Sequence, residues 1–190
     1  LDRFGLEATR AICDAINTIP PITVRANTLR TTREQLLKSL ERDVKGIEIT
    51  PYAQDGLCFS NPRVPIPEMA SFKAGWFQVQ DEAAQLVTCL LDPRPGETVL
   101  DACAGQGGKT GHIAQLMENH GRIIALDNNH KRLLRLRTQI ERLGISIVET
   151  YTRDLNTLAC SPFRAQSFDR ILLDAPCSGM GVLRRNPDIK

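Results

Sequence analysis

The chain has 190 residues, 42% of them apolar and 24% charged, with a net charge of +2, which is the composition of a globular protein with room for one or two domains. No apolar run reaches the roughly 18 residues of a membrane helix, and Leu1-Asp2-Arg3-Phe4-Gly5 lacks the order of a secretory signal. So small a net charge does not point to nucleic acid by itself and leaves the question to local clusters.

Cysteines stand at 13, 58, 89, 103, 160 and 177, with no C-x-x-C pair, which argues against a zinc site. Without a signal peptide no disulfide framework is expected, and a reducing cytoplasm is the expected compartment. The first residue is not Met, so the chain is expected to be cut from something longer.

Phe4, Ala8, Ile12, Ala15, Ile16 and Ile19 predict a helix over about 4–19, the end of a preceding helical region, stopped by Pro20-Pro21. Residues 22–29 alternate as a strand. Thr31 and Glu34 read as a capping box, and Leu36, Leu37 and Leu40 give the helix its apolar side. Short strand-like pieces follow at 47–49 and 57–59, before Pro62, Pro65 and Pro67 interrupt. Residues 20–72 therefore read as a small α+β module. Asp81 is placed to cap a helix with Ala83, Leu86, Val87, Leu90 and Leu91 on one face, ended by Asp92-Pro-Arg-Pro-Gly96. Strands at 98–102, 122–127, 146–150 and 169–174 then alternate with helices at about 110–119 and 130–143, the second closed by Gly144. This alternation predicts an α/β domain over 73–190 with a parallel, doubly wound sheet.

The stretch Asp101-Ala-Cys-Ala-Gly-Gln-Gly-Gly-Lys-Thr110 joins the first of these strands to its helix. Glycines allow a ligand close to the backbone, and the helix offers free N–H groups. A P-loop would need glycine where Cys103 stands, and the dinucleotide fingerprint would need a third glycine where Thr110 stands. Both departures turn the reading from phosphate to S-adenosylmethionine. Asp127 ends the second strand about 20 residues on, the spacing for a carboxylate that accepts ribose hydroxyls. Alone it reads equally well as a helix cap; with the loop, ribose is favoured. Lys109 either faces a ligand carboxylate or is solvated, and Asp154 either accepts from an adenine amino group or is an ordinary loop aspartate. Asp174 and Cys177, in Asp174-Ala-Pro-Cys-Ser-Gly179, follow the fourth strand onto the same rim.

The glycine stretch, Leu173-Asp-Ala-Pro-Cys-Ser-Gly179, Gly181-Val-Leu-Arg-Arg-Asn-Pro-Asp188, Gly75-Trp-Phe-Gln-Val-Gln-Asp-Glu-Ala-Ala-Gln85 and Arg25-Ala-Asn-Thr-Leu-Arg30 together resemble the RNA (cytosine-5)-methyltransferases. The resemblance is to the bacterial Sun, Fmu or RsmB type, which methylates small-subunit ribosomal RNA. It implies a Rossmann-type methyltransferase sheet behind a small RNA-binding module. It also implies that Cys103, Ala104, Gly105, Gln106, Gly107, Gly108, Lys109, Asp127, Asp154 and Asp174 line the S-adenosylmethionine site. The family loop usually reads Cys-Ala-Ala-Pro-Gly-Gly-Lys; Gly105-Gln106 here replaces Ala-Pro, which predicts binding with a more flexible loop.

By the same resemblance, the attacking cysteine belongs to a Thr-Cys motif after the next strand, past Lys190, and Cys177 helps to release product. The 190 residues alone are then expected to be inactive, and their fourth strand to be left as an apolar edge of an incomplete sheet. A DNA cytosine-5 methyltransferase is the less favoured reading, because Ser178 stands where those enzymes carry Gln. A non-catalytic fragment that binds S-adenosylmethionine and RNA is another. Arg25, Arg30, Arg33, Lys38, Arg42 and Lys45, with Arg184 and Arg185, are the candidate contacts to ribosomal RNA phosphates. No metal and no membrane are expected, and the protein is expected to be a monomer.

Overall fold

Two four-stranded sheets of opposite character organise residues 22–175. The computed structural model describes residues 3–155 and 167–175. Helix α1 (Gly5–Asn17) belongs to a separate compact unit and buries none of its own residues.

In the first sheet, β1 (Ile22–Ala26), β2 (Lys45–Ile49), β3 (Gly56–Ser60) and β4 (Phe77–Val79) run antiparallel in the order β2-β3-β1-β4. Helix α2 (Arg33–Leu40) follows β1, and the single turn α3 (Ala70–Lys73) precedes β4. This β-α-β-β-α-β order is ferredoxin-like. Val24, Leu36, Leu40, Leu57, Phe59 and Phe77 form its core. The sequence reading ended this module at 72 and missed its last strand. Three residues, Phe77-Gln78-Val79, are too few to show alternation, yet Val79 pairs with Val24 and Phe77 with Ala26. The α2 capping box also sits one residue later than expected. Thr32 accepts from the Gln35 N–H, and Gln35 Oε1 accepts from the Thr32 N–H.

The second sheet is wholly parallel, with β5 (Thr98–Asp101), β6 (Arg122–Asp127), β7 (Val148–Thr152) and β8 (Arg170–Leu172) in the order β7-β6-β5-β8. Helices α5 (Gly108–Leu116) and α6 (His130–Leu143) connect these strands and cover the face that carries Val99, Ile123 and Ala125. The chain steps from β5 to β6 to β7, then crosses to the other side of β5 for β8. A topological switch point thus lies between β5 and β8, where ligands of open α/β sheets bind. Among the described residues β8 is a sheet edge, with Ile171 and Leu173 exposed.

Helix α4 (Glu82–Leu91) departs from its expected packing. Asp81 is its N-cap residue but makes no capping hydrogen bond through its side chain. Its buried residues are Gln85 and Thr88, while Leu90 is 85% exposed. The helix meets β1 through polar groups: Gln85 Nε2 donates to the carbonyls of Val24 and Gln80.

Polar side chains also join the ferredoxin-like module to the parallel domain. Asn27 Nδ2 donates to the carbonyls of Gly75 (2.8 Å) and Leu143 (2.9 Å), and Arg30 Nε donates to Leu143 (3.0 Å). They satisfy an orphan carbonyl at the C-terminus of α6. Arg142 donates to the carbonyls of Phe72 (2.8 Å) and Phe77 (3.0 Å) and to Gln78 (2.6 Å), with its guanidinium 3.9 Å from the Phe72 ring centroid. Burial, and then the neighbouring Arg30, lowers the Arg142 pKa to about 10. Truncation would strand those two part-buried carbonyls at about 1 kcal/mol each, the low end of the cost of an unpaired acceptor. Arg142→Ala is therefore expected to lose at least about 2 kcal/mol of stability, seen as a lower denaturant midpoint at unchanged slope.

Candidate functional site

The C-terminal ends of the parallel strands bring carboxylates to one rim. Asp101 ends β5, Asp127 ends β6, Asp154 follows β7 and Asp174 follows β8. The glycine loop runs between the first two. Its path is fixed by hydrogen bonds from the Ala102 N–H to the Leu172 carbonyl (2.9 Å), from Ala104 to Leu126 (2.8 Å) and from Gly107 to Ala104 (2.9 Å). The freedom expected of Gly105 is used in its backbone, at φ +56°, and a Cβ there would meet nothing within 4 Å. At Gly107 (φ +87°) a Cβ would instead fall 2.7 Å from Leu136, so only glycine lets the loop pass over α6.

Asp127 is buried and held on both oxygens. Oδ2 accepts from the Gly105 N–H (3.0 Å) and Oδ1 from the Asn129 N–H (2.7 Å). The N-cap of α6 is Asn129, whose side chain accepts from the Lys131 and Arg132 N–H groups. The capping role is therefore already filled, and Asp127 keeps further lone pairs for a ligand hydroxyl. Lys109, left open between solvent and ligand, pairs with Asp174 at 2.6 Å. Asp154 and Gln106 are exposed on the rim, and Ala104 is buried beneath it.

Asp101 belongs to this set, although the sequence reading passed over it. It is 1% exposed, and its Oδ2 accepts from the Thr110 hydroxyl at 2.7 Å. Its Oδ1 has no partner among the described residues. Burial raises its pKa to about 6, opposed by the Thr110 hydroxyl. The available signal was its place as the last residue of the strand that feeds the loop. Burial first, then Asp101, Asp127 and Asp174, push the Cys103 thiol pKa up. The chain carries a Thr-Cys pair at Thr88-Cys89, but it lies within α4. Its cysteine lines a groove with Asp92, Pro93 and Pro95, ahead of the N-terminal end of β5. Burial and Asp55 raise the Cys89 pKa as well. Cys177, Arg184 and Arg185 lie outside the described residues.

The candidate RNA flank is smaller than expected. Arg25 is buried inside the join between the module and the parallel domain, while Arg30 is exposed at its edge with its Nε donating to the Leu143 carbonyl. Arg25 lies on β1, on the side that α4 and α5 cover. Arg33 pairs with Glu34, leaving Lys38, Arg42 and Lys45 exposed. Among the described residues there is no metal-binding cluster and no helix long and apolar enough to cross a membrane.

A family model described as 16S rRNA methyltransferase RsmB/F matches residues 88–190, and a ferredoxin-like domain model of the RsmF/B-like methyltransferases matches residues 1–66. The chain belongs to the RsmB/F family. The Ribosomal RNA small subunit methyltransferase B of Pseudomonas syringae is 41% identical over 97% of this chain and 40% of its own length. A 26S rRNA (cytosine-C(5))-methyltransferase of Caenorhabditis elegans is 38% identical over 90% of the chain and 26% of its own length. A solved methyltransferase homolog from Pyrococcus horikoshii superposes with a TM-score of 0.80 at 35% identity, over 98% of this chain and 61% of that one. The chain thus spans less than half the length of these curated relatives. The Rossmann-type sheet and the small α+β module before it, both expected from the sequence, are borne out.

Proposed function

We propose that the protein transfers a methyl group from S-adenosylmethionine to C5 of a cytosine in 16S ribosomal RNA. The observation that carries this reading is the ring of carboxylates around the glycine loop at the switch point. The residues present fit the methyl donor. Asp127 is anchored and keeps lone pairs for ribose hydroxyls, and the family resemblance assigns Asp154, after β7, to the adenine amino group. Asp101 offers a buried oxygen, unpartnered among the described residues, that suits an ammonium. When bound, S-adenosylmethionine supplies an electrophilic methyl on a sulfonium.

The chemistry requires a thiolate to add at C6 of the cytosine, so that C5 can take the methyl. Loss of the C5 proton then restores the ring and expels the thiolate. Burial pushes the thiols of Cys58, Cys89 and Cys103 up from their ordinary pKa, which disfavours the thiolate at each. The assignment follows family relatives: the attacking cysteine sits in a Thr-Cys motif after the next strand, and Cys177 assists release. Asp174, paired with Lys109, takes the contact to the cytosine N3/N4 edge by the family resemblance. The cytosine-C(5) activity named for the Caenorhabditis relative and the family's 16S specificity support this reading.

The test uses the full-length protein, 16S rRNA and labelled methyl donor, with bisulfite sequencing of the product. One protected cytosine is expected. Cys177→Ala is expected to accumulate a covalent RNA–protein complex on a denaturing gel. Abolished transfer without any trapped RNA would move the attack to Cys177, and no methylated cytosine with the unaltered protein would overturn the function.

A further inference from the structure

Arg25 is 1% exposed, deep between the ferredoxin-like module and α5. Among the described residues no carboxylate bonds it directly. Its Nε donates to Gln115 Oε1 at 3.1 Å, and Gln115 Nε2 in turn donates to Asp55 Oδ2 at 3.1 Å. Its Nη1 donates to Gln80 Oε1 and, at 3.2 Å, to the Gly108 carbonyl. Burial pulls its pKa down to about 9, only partly offset by Asp55. A charge held dry with so indirect a counter-charge is a poor stabiliser, since an apolar side chain of similar volume often does as well.

What the guanidinium does achieve is geometric. Gly108, Gly111 and Gln115 lie at i, i+3 and i+7 on one face of α5. A Cβ on Gly111 would stand 3.7 Å from Arg25 Nη2 and 3.4 Å from Leu143, at ordinary contact distance, so the guanidinium packs directly against this face of the helix. Gly108 is also the last glycine of the loop. The next two residues place the rim's polar contacts, Lys109 to Asp174 and Thr110 to Asp101. The rotation and height of α5 therefore set the loop, and Arg25 fixes both from the neighbouring module.

We propose that Arg25 is a positioning residue for the methyl-donor loop, acting from the ferredoxin-like module through Gly108 and Gln115, and is not an RNA contact. The proposal rests on the reading of that loop as the S-adenosylmethionine site. Arg25→Lys keeps the charge but loses the planar fork. In the full-length protein, the loss of one charged hydrogen bond is expected to raise both Kd and KM for S-adenosylmethionine about tenfold. Binding to 16S rRNA and kcat are expected to hold within about threefold. Amide exchange over 103–110 is expected to accelerate while that of β2 and β3 does not. Gln115→Met, which removes the Nε acceptor with a good helix former, is expected to act in the same direction and decides the matter if the lysine variant fails to fold.

Unchanged methyl-donor affinity in a folded variant would overturn the proposal, as would a loss of RNA affinity alone. If the unaltered protein binds no S-adenosylmethionine, it is the loop assignment that fails instead.

Discussion

Asp127→Ala in the full-length protein is expected to weaken S-adenosylmethionine binding by about a hundredfold, read by titration calorimetry. The carboxylate is 6% exposed, and its orientation is fixed by the Gly105 and Asn129 N–H groups. A hydroxyl that reaches it finds an acceptor already in place, so little ordering cost attends binding. Hydrogen bonds to a charged acceptor contribute about 1.5–3 kcal/mol each, and a ribose offers two. Alanine also strands both backbone donors, so the melting temperature falls with the affinity. Asp127→Asn separates the two effects. It keeps the volume and one acceptor, but turns an amide N–H₂ toward one of the backbone donors, and is expected to lie between alanine and the unaltered protein. Undiminished affinity in the alanine variant would refute the ribose assignment.

The parts of this molecule that were legible in the sequence are those governed by local rules. The helix of α6 begins and ends where its leucine spacing and Gly144 place it. The four parallel strands follow from apolar runs set between glycine-rich and polar turns, and Asp127 stands out by its spacing from the loop. Two further findings depended on what covers a surface. β1 alternates as a half-exposed strand would, yet its polar side, with Thr23, Arg25 and Asn27, is as buried as its apolar side. Nothing in 22–29 announces that a second domain packs there through hydrogen bonds. Arg25 thus reads as part of a nucleic-acid surface and is inside a join, with Arg30 exposed at its edge. The same cover explains why α4 buries Gln85 and Thr88 and exposes Leu90. β4 was missed because a three-residue strand is defined by its partner and not by its own pattern.

Asp101→Asn is expected to stabilise the ligand-free protein and to weaken it as a methyl-donor binder, and pH separates the two. In the folded chain the Asp101 pKa is about 6 because the group is buried; its ordinary value is 3.8. Between those values the folded state holds a proton that the unfolded chain has released. The stability due to this group is therefore full below about pH 4 and is lost as pH rises through about 6. An asparagine does not titrate, so the variant gains on the unaltered protein across that window, by roughly 3 kcal/mol at its upper end. Paired melts at pH 4, 6 and 8 read the difference directly. Ligand affinity runs the other way. A cationic ammonium favours the ionised carboxylate, so affinity for S-adenosylmethionine in the unaltered protein rises as pH passes about 6. Asparagine can keep the bond from the Thr110 hydroxyl but offers no charge, and is expected to bind about tenfold more weakly at pH 8 with a flat pH profile. Parallel curves for the two proteins in both measurements would remove Asp101 from the site. Opposite slopes would show that the dry carboxylate beneath the loop costs the fold stability that binding recovers.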